Sequence, residues 1–280
     1  MLSEDARTGP SDAVVAAFGA RPPALPLAAG RAWRAGDLVL KRAEDVAGSD
    51  AVAAAIAALP PNPAYRVQRP RRAGGEWARE GWSAWCWIEG ATCAGREAEK
   101  LATARALHAD LAGFAAHPPP ALLLRRDPWA VADRIAWGEQ VHDFDAAFGA
   151  LLDPLLAACP ATAQRPQLVH GDLTGNIVFA QGAPPGVIDA TLYWRPAAFA
   201  EAVILIDAQW HPLPRSPQAL APLLRAIREP GTMLRRAALR RIAEQPAQVA
   251  AFGKDRALAL ALAWKIAKWT DALLTTLDDP

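Results

Sequence analysis

The 280-residue chain reads as an α+β protein, with a small strand-rich amino-terminal part and a larger, mainly helical carboxy-terminal part. Three observations carry that expectation. Short apolar runs separated by glycine and proline fill residues 25 to 88. Alanine- and leucine-rich stretches at helical spacing fill most of the chain from residue 96 onward. The stretch from Leu168 to Trp194, LVHGDLTGNIVFAQGAPPGVIDATLYW, interrupts the helices with a polar loop and two short strands. At 29.8 kDa the chain is long enough for two lobes sharing a cleft.

In chain order, Ser11 to Phe18 is expected to form a short helix with Ser11 as its cap and Gly19 beyond its end. Strands are expected over 25–28, 31–34 and 37–41. In the last of these, DLVLK, side chains alternate between faces, so Lys41 shares a face with Val39. Lysine is scarce here, with 5 against 25 arginines. A flexible ammonium suits a phosphate site as a point charge, whereas the ordinary surface cation of this chain is arginine. SDAVAAAIAAL, over 49–59, has a serine cap and helix-forming alanines, and Pro60-Pro61 closes it. YRVQRPRR and EGWSAWCWI are strand candidates on either side of Ala73-Gly74-Gly75. Trp77, Trp82, Trp85 and Trp87 cluster there, and their first role is to fill a core.

The helical part begins with an amphipathic stretch from Arg96 to Ala116, stopped by Pro118-Pro119-Pro120. His108 lies on its apolar face and is read as a core histidine. Phe144 to Cys159 reads as a helix interrupted near Asp153-Pro154, and Ala197 to Trp210 as an apolar helix carrying Glu201. Helices over 218–228, 232–245 and 251–277 complete the chain.

Between these helices, Val169 to Asn176 mixes His, Asp, Thr and Asn with small residues, a composition suited to a working loop. IVFA and GVID then read as strands of a hairpin turning about residues 181 to 184. Folded there, Asn176 faces Asp189 at a side-chain distance of roughly 5 Å. An amide oxygen and a carboxylate meeting in this way suit a hard divalent cation such as magnesium. Asp172, on the same rim, is then free to act as a base.

His170-Gly171-Asp172-Leu173-x-x-Asn176, followed by a strand, a turn and Ile188-Asp189, resembles the catalytic loop and metal-binding aspartate of the aminoglycoside phosphotransferase family, relatives of protein kinases. The resemblance implies a protein-kinase-like two-lobed fold, with residues 1–88 as the N-lobe and 89–280 as the C-lobe. It implies ATP, or another nucleoside triphosphate, and Mg²⁺ as cofactors. Asp172 would accept the proton of an acceptor hydroxyl, while Asn176 and Asp189 hold Mg²⁺ against the phosphates. Lys41 would bind the α and β phosphates. Gly30, the single glycine of Ala28-Ala29-Gly30-Arg31, would lie in the turn covering them. Trp85 and Trp87 fall in a segment, 85–90, expected to be the hinge that receives adenine. His170 is given a structural part, and Glu201 is expected to tether the loop's amides. Two departures stand out. The asparagine follows the aspartate by four residues where five is commoner, and the helix after Lys41 has no glutamate to pair with it. Glu44, Asp45 and Asp50 are the available substitutes.

Composition narrows the partners. A net charge of +1, from 30 basic and 29 acidic residues, calls for neither nucleic acid nor an anionic membrane. Three cysteines, Cys86, Cys93 and Cys159, fit neither a zinc pattern nor a paired framework. With no signal-like or spanning segment, a cytoplasmic location is expected. The acceptor is expected to be a small molecule. From Ala198 to the end there are eleven basic residues against eight acidic ones, which disfavours a polycationic aminoglycoside and favours a neutral or anionic alcohol. Two other classes fit parts of the pattern: a catalytically silent nucleotide-binding scaffold, and a metal-dependent hydrolase built on His170, Asp172 and Asp189.

Overall fold

A computed structural model describes residues 8–27, 32–211 and 215–278. The chain opens with α1 (Asp12–Ala17), where the Ser11 hydroxyl accepts the Val14 amide at 3.3 Å. There follow β1 (Leu25–Pro26), β2 (Ala32–Ala35), β3 (Leu38–Arg42), α2 (Val46–Ala58), β4 (Arg66–Val67), β5 (Pro70–Arg71), β6 (Ala78–Arg79) and β7 (Trp82–Cys86). One sheet runs in the order β1-β2-β3-β7-β5, with β6 also on β7. Its pairings are antiparallel.

The alternation of DLVLK decides what each face of this sheet does. Leu38 and Leu40 join Trp33, Ala35, Trp82 and Ala84 on one face, packed against Val14, Val15 and Phe18. The register pairs Val39 with Trp85 and Lys41 with Ser83. Directly opposed residues share a face, so these four point the other way. Trp85 there joins the main core that the helices build. The tryptophans at 82 and 85 are thus core residues of opposite faces.

Two expectations in this part need correction. Asp45, not Ser49, caps α2: its carboxylate accepts the Gly48 amide at 3.0 Å, so the helix starts before Ser49. The strand expected from Tyr65 onward splits at Gln68-Arg69, and its two pieces belong to different sheets.

Beyond residue 90 come β8 (Ala91–Thr92), α3 (Glu97–Leu111), α4 (Pro120–Leu123), α5 (Pro128–Ala136), α6 (Ala146–Ala157), β9 (Gln167–His170), β10 (Ile177–Phe179), β11 (Gly186–Val187) and β12 (Leu192–Arg195). α7 (Ala197–Asp207), a tight turn over 208–210, α8 (Pro217–Arg225), α9 (Pro230–Phe252) and α10 (Arg256–Asp278) complete the chain. A second sheet has the order β4-β11-β10-β8, and β4 runs parallel to β11 within it. β12 pairs antiparallel with β9. Pro154 sits inside α6 without interrupting it. The amide that Pro154 lacks would have reached the carbonyl of Ala150, an exposed residue, so that carbonyl is open to solvent.

The helical region is centred on α9, which packs against α5, α6, α7 and α10. Met233, Leu234, Ala237, Ala238, Leu239 and Ile242 of α9 are all buried. Strands gathered early in the chain and helices gathered late give the two-lobed, protein-kinase-like arrangement that the resemblance implied. Among the described residues no helix is long and apolar enough to cross a membrane.

Candidate active site

The loop between β9 and β10 is built on two buried histidines. The His170 amide donates to His108 Nε2 at 3.0 Å, which fixes the end of β9 onto α3. The His170 ring accepts the Asp172 amide at Nδ1, 3.2 Å away, and donates from Nε2 to the Ile188 carbonyl at 3.3 Å. Both ring nitrogens are therefore committed to backbone, with the proton on Nε2. His170 orders the loop and the hairpin, as the resemblance implied, and it has no lone pair left for a metal. That removes the hydrolase reading. Burial pushes the pKa of His170 down, and burial together with neighbouring His170 pushes that of His108 down to about 3.

Asp172 leaves β9 with its carboxylate half exposed. Asn176 Nδ2 donates to the Asp172 carbonyl at 2.7 Å and lies 3.4 Å from its Oδ2, closing the loop. Asp172 Oδ1 accepts from Arg241 Nη2 at 2.7 Å. Burial by itself would raise the Asp172 pKa; Arg241 first, then Arg240 and His170, outweigh it and hold the carboxyl below its usual value.

Arg241 projects from α9 and spends its whole fork of donors on carboxylates. Nε and Nη2 reach the two oxygens of Asp207, at the end of α7, and Nη1 reaches both oxygens of Glu244. Its neighbour Arg240 is fully buried, donating to the Gly171 carbonyl at 2.6 Å and to the Tyr193 hydroxyl at 3.1 Å. Reading the sequence did not find these arginines. The available signal was two adjacent charges inside the apolar window AALRRIA, where a solvated pair would be out of place.

The hairpin register differs from expectation by one residue. Ile177 pairs with Val187 and Val178 with Gly186, so Asn176 stands opposite Ile188, whose amide donates to the Asn176 carbonyl at 2.9 Å. Pro185 cannot donate to a ladder, so pairing starts at Gly186 and the turn is longer than expected. Asp189 is the first residue past the pairing and adopts a left-handed backbone, φ 52°. Its Oδ1 lies 2.7 Å from Lys41 Nζ. Lys41, above all, holds the Asp189 carboxyl below its usual pKa, against the opposing effect of burial. The Asp172 charge raises the tendency of Asp189 to keep a proton, so the two carboxylates share one rim.

None of the three proposed acids pairs with Lys41. Asp45 is spent on its helix cap, Glu44 is exposed, and Asp50 Oδ1 is buried without a hydrogen bond. Lys41 instead meets Asp189 and the buried side chain of Gln68, whose Oε1 is 3.4 Å away. Trp85 is buried, its indole N–H on Ser83 at 3.1 Å and its ring 6.0 Å from Lys41 Nζ. Trp87 is clamped between the Arg34 guanidinium, 4.0 Å over its ring, and Glu89, and its amide donates to the Asp37 carbonyl. Gly30 lies outside the described residues. Glu201 binds Arg105 at 2.6 Å rather than the loop amides, and the Thr174 hydroxyl is buried without a partner.

The residues present fit a hard divalent cation. Asn176 commits its Nδ2 to Asp172, so its Oδ1 faces away from that bond and makes no hydrogen bond among the described residues. Asp189 keeps its carboxylate 58% exposed. Oxygen donors of this kind, with room for phosphate and water, are what magnesium takes.

A lysine from the early sheet thus meets an aspartate from a late hairpin, on the rim that carries the loop carboxylate. Residues 31–226 match the phosphotransferase enzyme family APH, and the chain belongs to that family. Two solved structures illustrate the fold. A thermostable mutant of aminoglycoside phosphotransferase APH(4)-Ia, in ternary complex with AMP-PNP and hygromycin B, is 17% identical with a TM-score of 0.58, over 94% of this chain and 99% of that one. A choline/ethanolamine kinase family protein from Mesorhizobium loti is 19% identical with a TM-score of 0.52, over 93% of this chain and 92% of that one. At such identities the likeness is one of fold. None of the curated proteins matches the chain.

Proposed function

We propose that this protein transfers the γ-phosphoryl group of ATP, or another nucleoside triphosphate, to a hydroxyl of a small molecule that is not polycationic. Residues 1–88 form the lobe that covers the nucleotide, and 89–280 the lobe that holds the loop, the hairpin and the acceptor. The observation that carries this reading is the 2.7 Å contact between Lys41 and Asp189, made on the rim that also bears Asp172 and Asn176. The nucleotide bound in the APH(4)-Ia complex supports it by analogy of fold.

Each residue then has a role that its surroundings permit. Asp172 is the base: Arg241 holds Oδ1, and Oδ2, which Asn176 Nδ2 approaches to 3.4 Å, keeps a lone pair to accept the acceptor's proton. Asn176 Oδ1 and the Asp189 carboxylate would hold Mg²⁺, which would neutralise charge on the phosphoryl group that the nucleotide gives up as its diphosphate leaves. Lys41 binds phosphate oxygens as a point charge, and Trp85 and Trp87 belong to the nucleotide's surroundings. The acceptor class follows from charge. Asp207 and Glu244, both buried on the helical side, are paired with Arg241 and Arg240 and offer no anionic cradle to a polyamine.

Asp172→Ala is the direct test. Phosphate transfer should fall by about 10²–10⁴, while the thermal shift produced by Mg²⁺ and AMP-PNP persists. Turnover undiminished in that variant would overturn the proposal.

A further inference from the structure

We infer that Gln68 is a positioning residue for this site, doing from a strand end what a helix carboxylate does not do in this chain. The inference rests on the phosphotransferase reading of Lys41 and Asp189. Gln68 is 5% exposed and sits at the break between β4 and β5. Its backbone is fixed to the hairpin, because its amide donates to the Val187 carbonyl at 2.8 Å, next to the Arg66 amide on the Pro185 carbonyl at 2.8 Å. The parallel pairing of β4 with β11 thus carries Gln68 to within reach of Asp189.

The side chain joins the two halves of the site through one atom. Oε1 accepts from Lys41 Nζ at 3.4 Å and from the Asp189 amide at 3.3 Å. The first donor belongs to the early sheet and the second to the late hairpin. Asp189 is held in a left-handed backbone that a non-glycine residue adopts at a cost, and the amide bond to Gln68 offsets part of it. No acid of α2 or its lead-in reaches Lys41, so Gln68 and Asp189 are its polar partners.

An amide differs from a carboxylate in one respect that matters here. A carboxylate at this place would neutralise the lysine as well as orient it. Gln68 orients Lys41 and leaves its charge to Asp189 or, once Asp189 is taken up by a metal ion, to the phosphates.

The test uses the full chain with Mg²⁺ and AMP-PNP as the binding probe, and nucleotide KM and kcat wherever turnover is measured. Gln68→Leu keeps the volume and removes the acceptor. It should weaken nucleotide binding roughly tenfold, the size of one hydrogen bond to a charged group. Gln68→Glu keeps an acceptor oxygen but competes with phosphate for the Lys41 charge, so it should weaken nucleotide binding too, and affinity above the parent's would count against the assignment. On a Lys41→Met background the effect of Gln68→Leu should shrink to the part carried by the Asp189 amide, clearly below its effect in the parent. Equal effects of Gln68→Leu on both backgrounds would overturn the assignment, as would unchanged affinity in the single variant. If Gln68→Leu does not fold, Gln68→Asn decides: it withdraws the oxygen by one methylene, and undiminished affinity there also overturns the idea. Failure of the functional reading would show separately, as turnover that survives Asp172→Ala.

Discussion

At Gly171 a single methyl group has nowhere to go. A Cβ built there would lie 2.6 Å from Arg240 Nη1 and 2.6 Å from the Tyr193 ring. Arg240 is buried and bonded to the Gly171 carbonyl, so neither neighbour yields cheaply. Gly171→Ala should cost about 1–3 kcal/mol in chemical denaturation, the range for overpacking a filled core, and should lower transfer by displacing Asp172. Asp172 itself yields a prediction about pH. Its pKa is depressed in the fold, since Arg241 outweighs burial. A base of this kind stays charged as pH falls, and activity is lost only when pH passes below the depressed value. Arg241→Lys keeps a cation but breaks the fork, so the acid limb of the kcat/KM profile should move to higher pH. An unmoved limb would mean that Arg241 does not set the basicity of Asp172. The difference in legibility between these residues has a physical origin. His170, Asp172 and Asn176 lie within one short loop, so their spacing exposes them. Arg241 lies 69 residues from Asp172 and Gln68 121 residues from the Asp189 amide, and only the fold brings them together.

Among the elements, the first three strands were legible from their alternation and most helices from alanine content, caps and proline stops, whereas α4 and α5 were not read. Element edges were less legible. Ser49 and Asp45 both suit a cap, and only the chain's path into α2 chooses Asp45. The hairpin slipped by one position because Pro185 forbids the first pairing on one side alone. The β4–β11 pairing had no signal at all: two residues of parallel strand show no period. The packing of α3 on β9 through His108 makes a prediction at this scale. His108 is buried and its pKa is pushed down to about 3, whereas an unfolded histidine titrates near 6.5. Below about pH 6.5 the unfolded chain gains a proton that the folded one refuses, so stability is complete above that pH and declines on the acid side. The decline attributable to His108 should be about 1 kcal/mol between pH 7 and 5.5, read from urea denaturation. His108→Gln retains an acceptor for the His170 amide and should flatten this part of the slope. An equally steep slope in the variant would place the titrating group elsewhere.

Across the whole molecule, the contacts that join the two lobes include, among the described residues, three that differ in kind. Trp85 belongs to the core shared with the helices, β4 is hydrogen-bonded into the sheet of the hairpin, and Lys41 meets Asp189. The first two are apolar or backbone contacts and hold the frame. The third is an ion pair whose carboxylate is more than half exposed, and such pairs contribute roughly 0–1 kcal/mol. Under the proposed function it is therefore the contact that a metal-bound nucleotide would exchange at least cost, with Asp189 holding Mg²⁺ and Lys41 holding phosphate. A ligand at a hundred times its Kd stabilises a protein by about 2.7 kcal/mol, which for a chain of this size corresponds to a rise in Tm of roughly 5–10 °C. AMP-PNP with Mg²⁺ should approach that figure, and AMP-PNP with a chelator should fall well short of it. Asp189→Asn keeps the shape of the side chain and removes the charge that draws Mg²⁺. In that variant the Tm rise with Mg²⁺ should shrink to the rise seen with nucleotide alone. A rise that remained fully dependent on Mg²⁺ would move the metal away from Asp189 and leave the Lys41 contact as a brace between lobes.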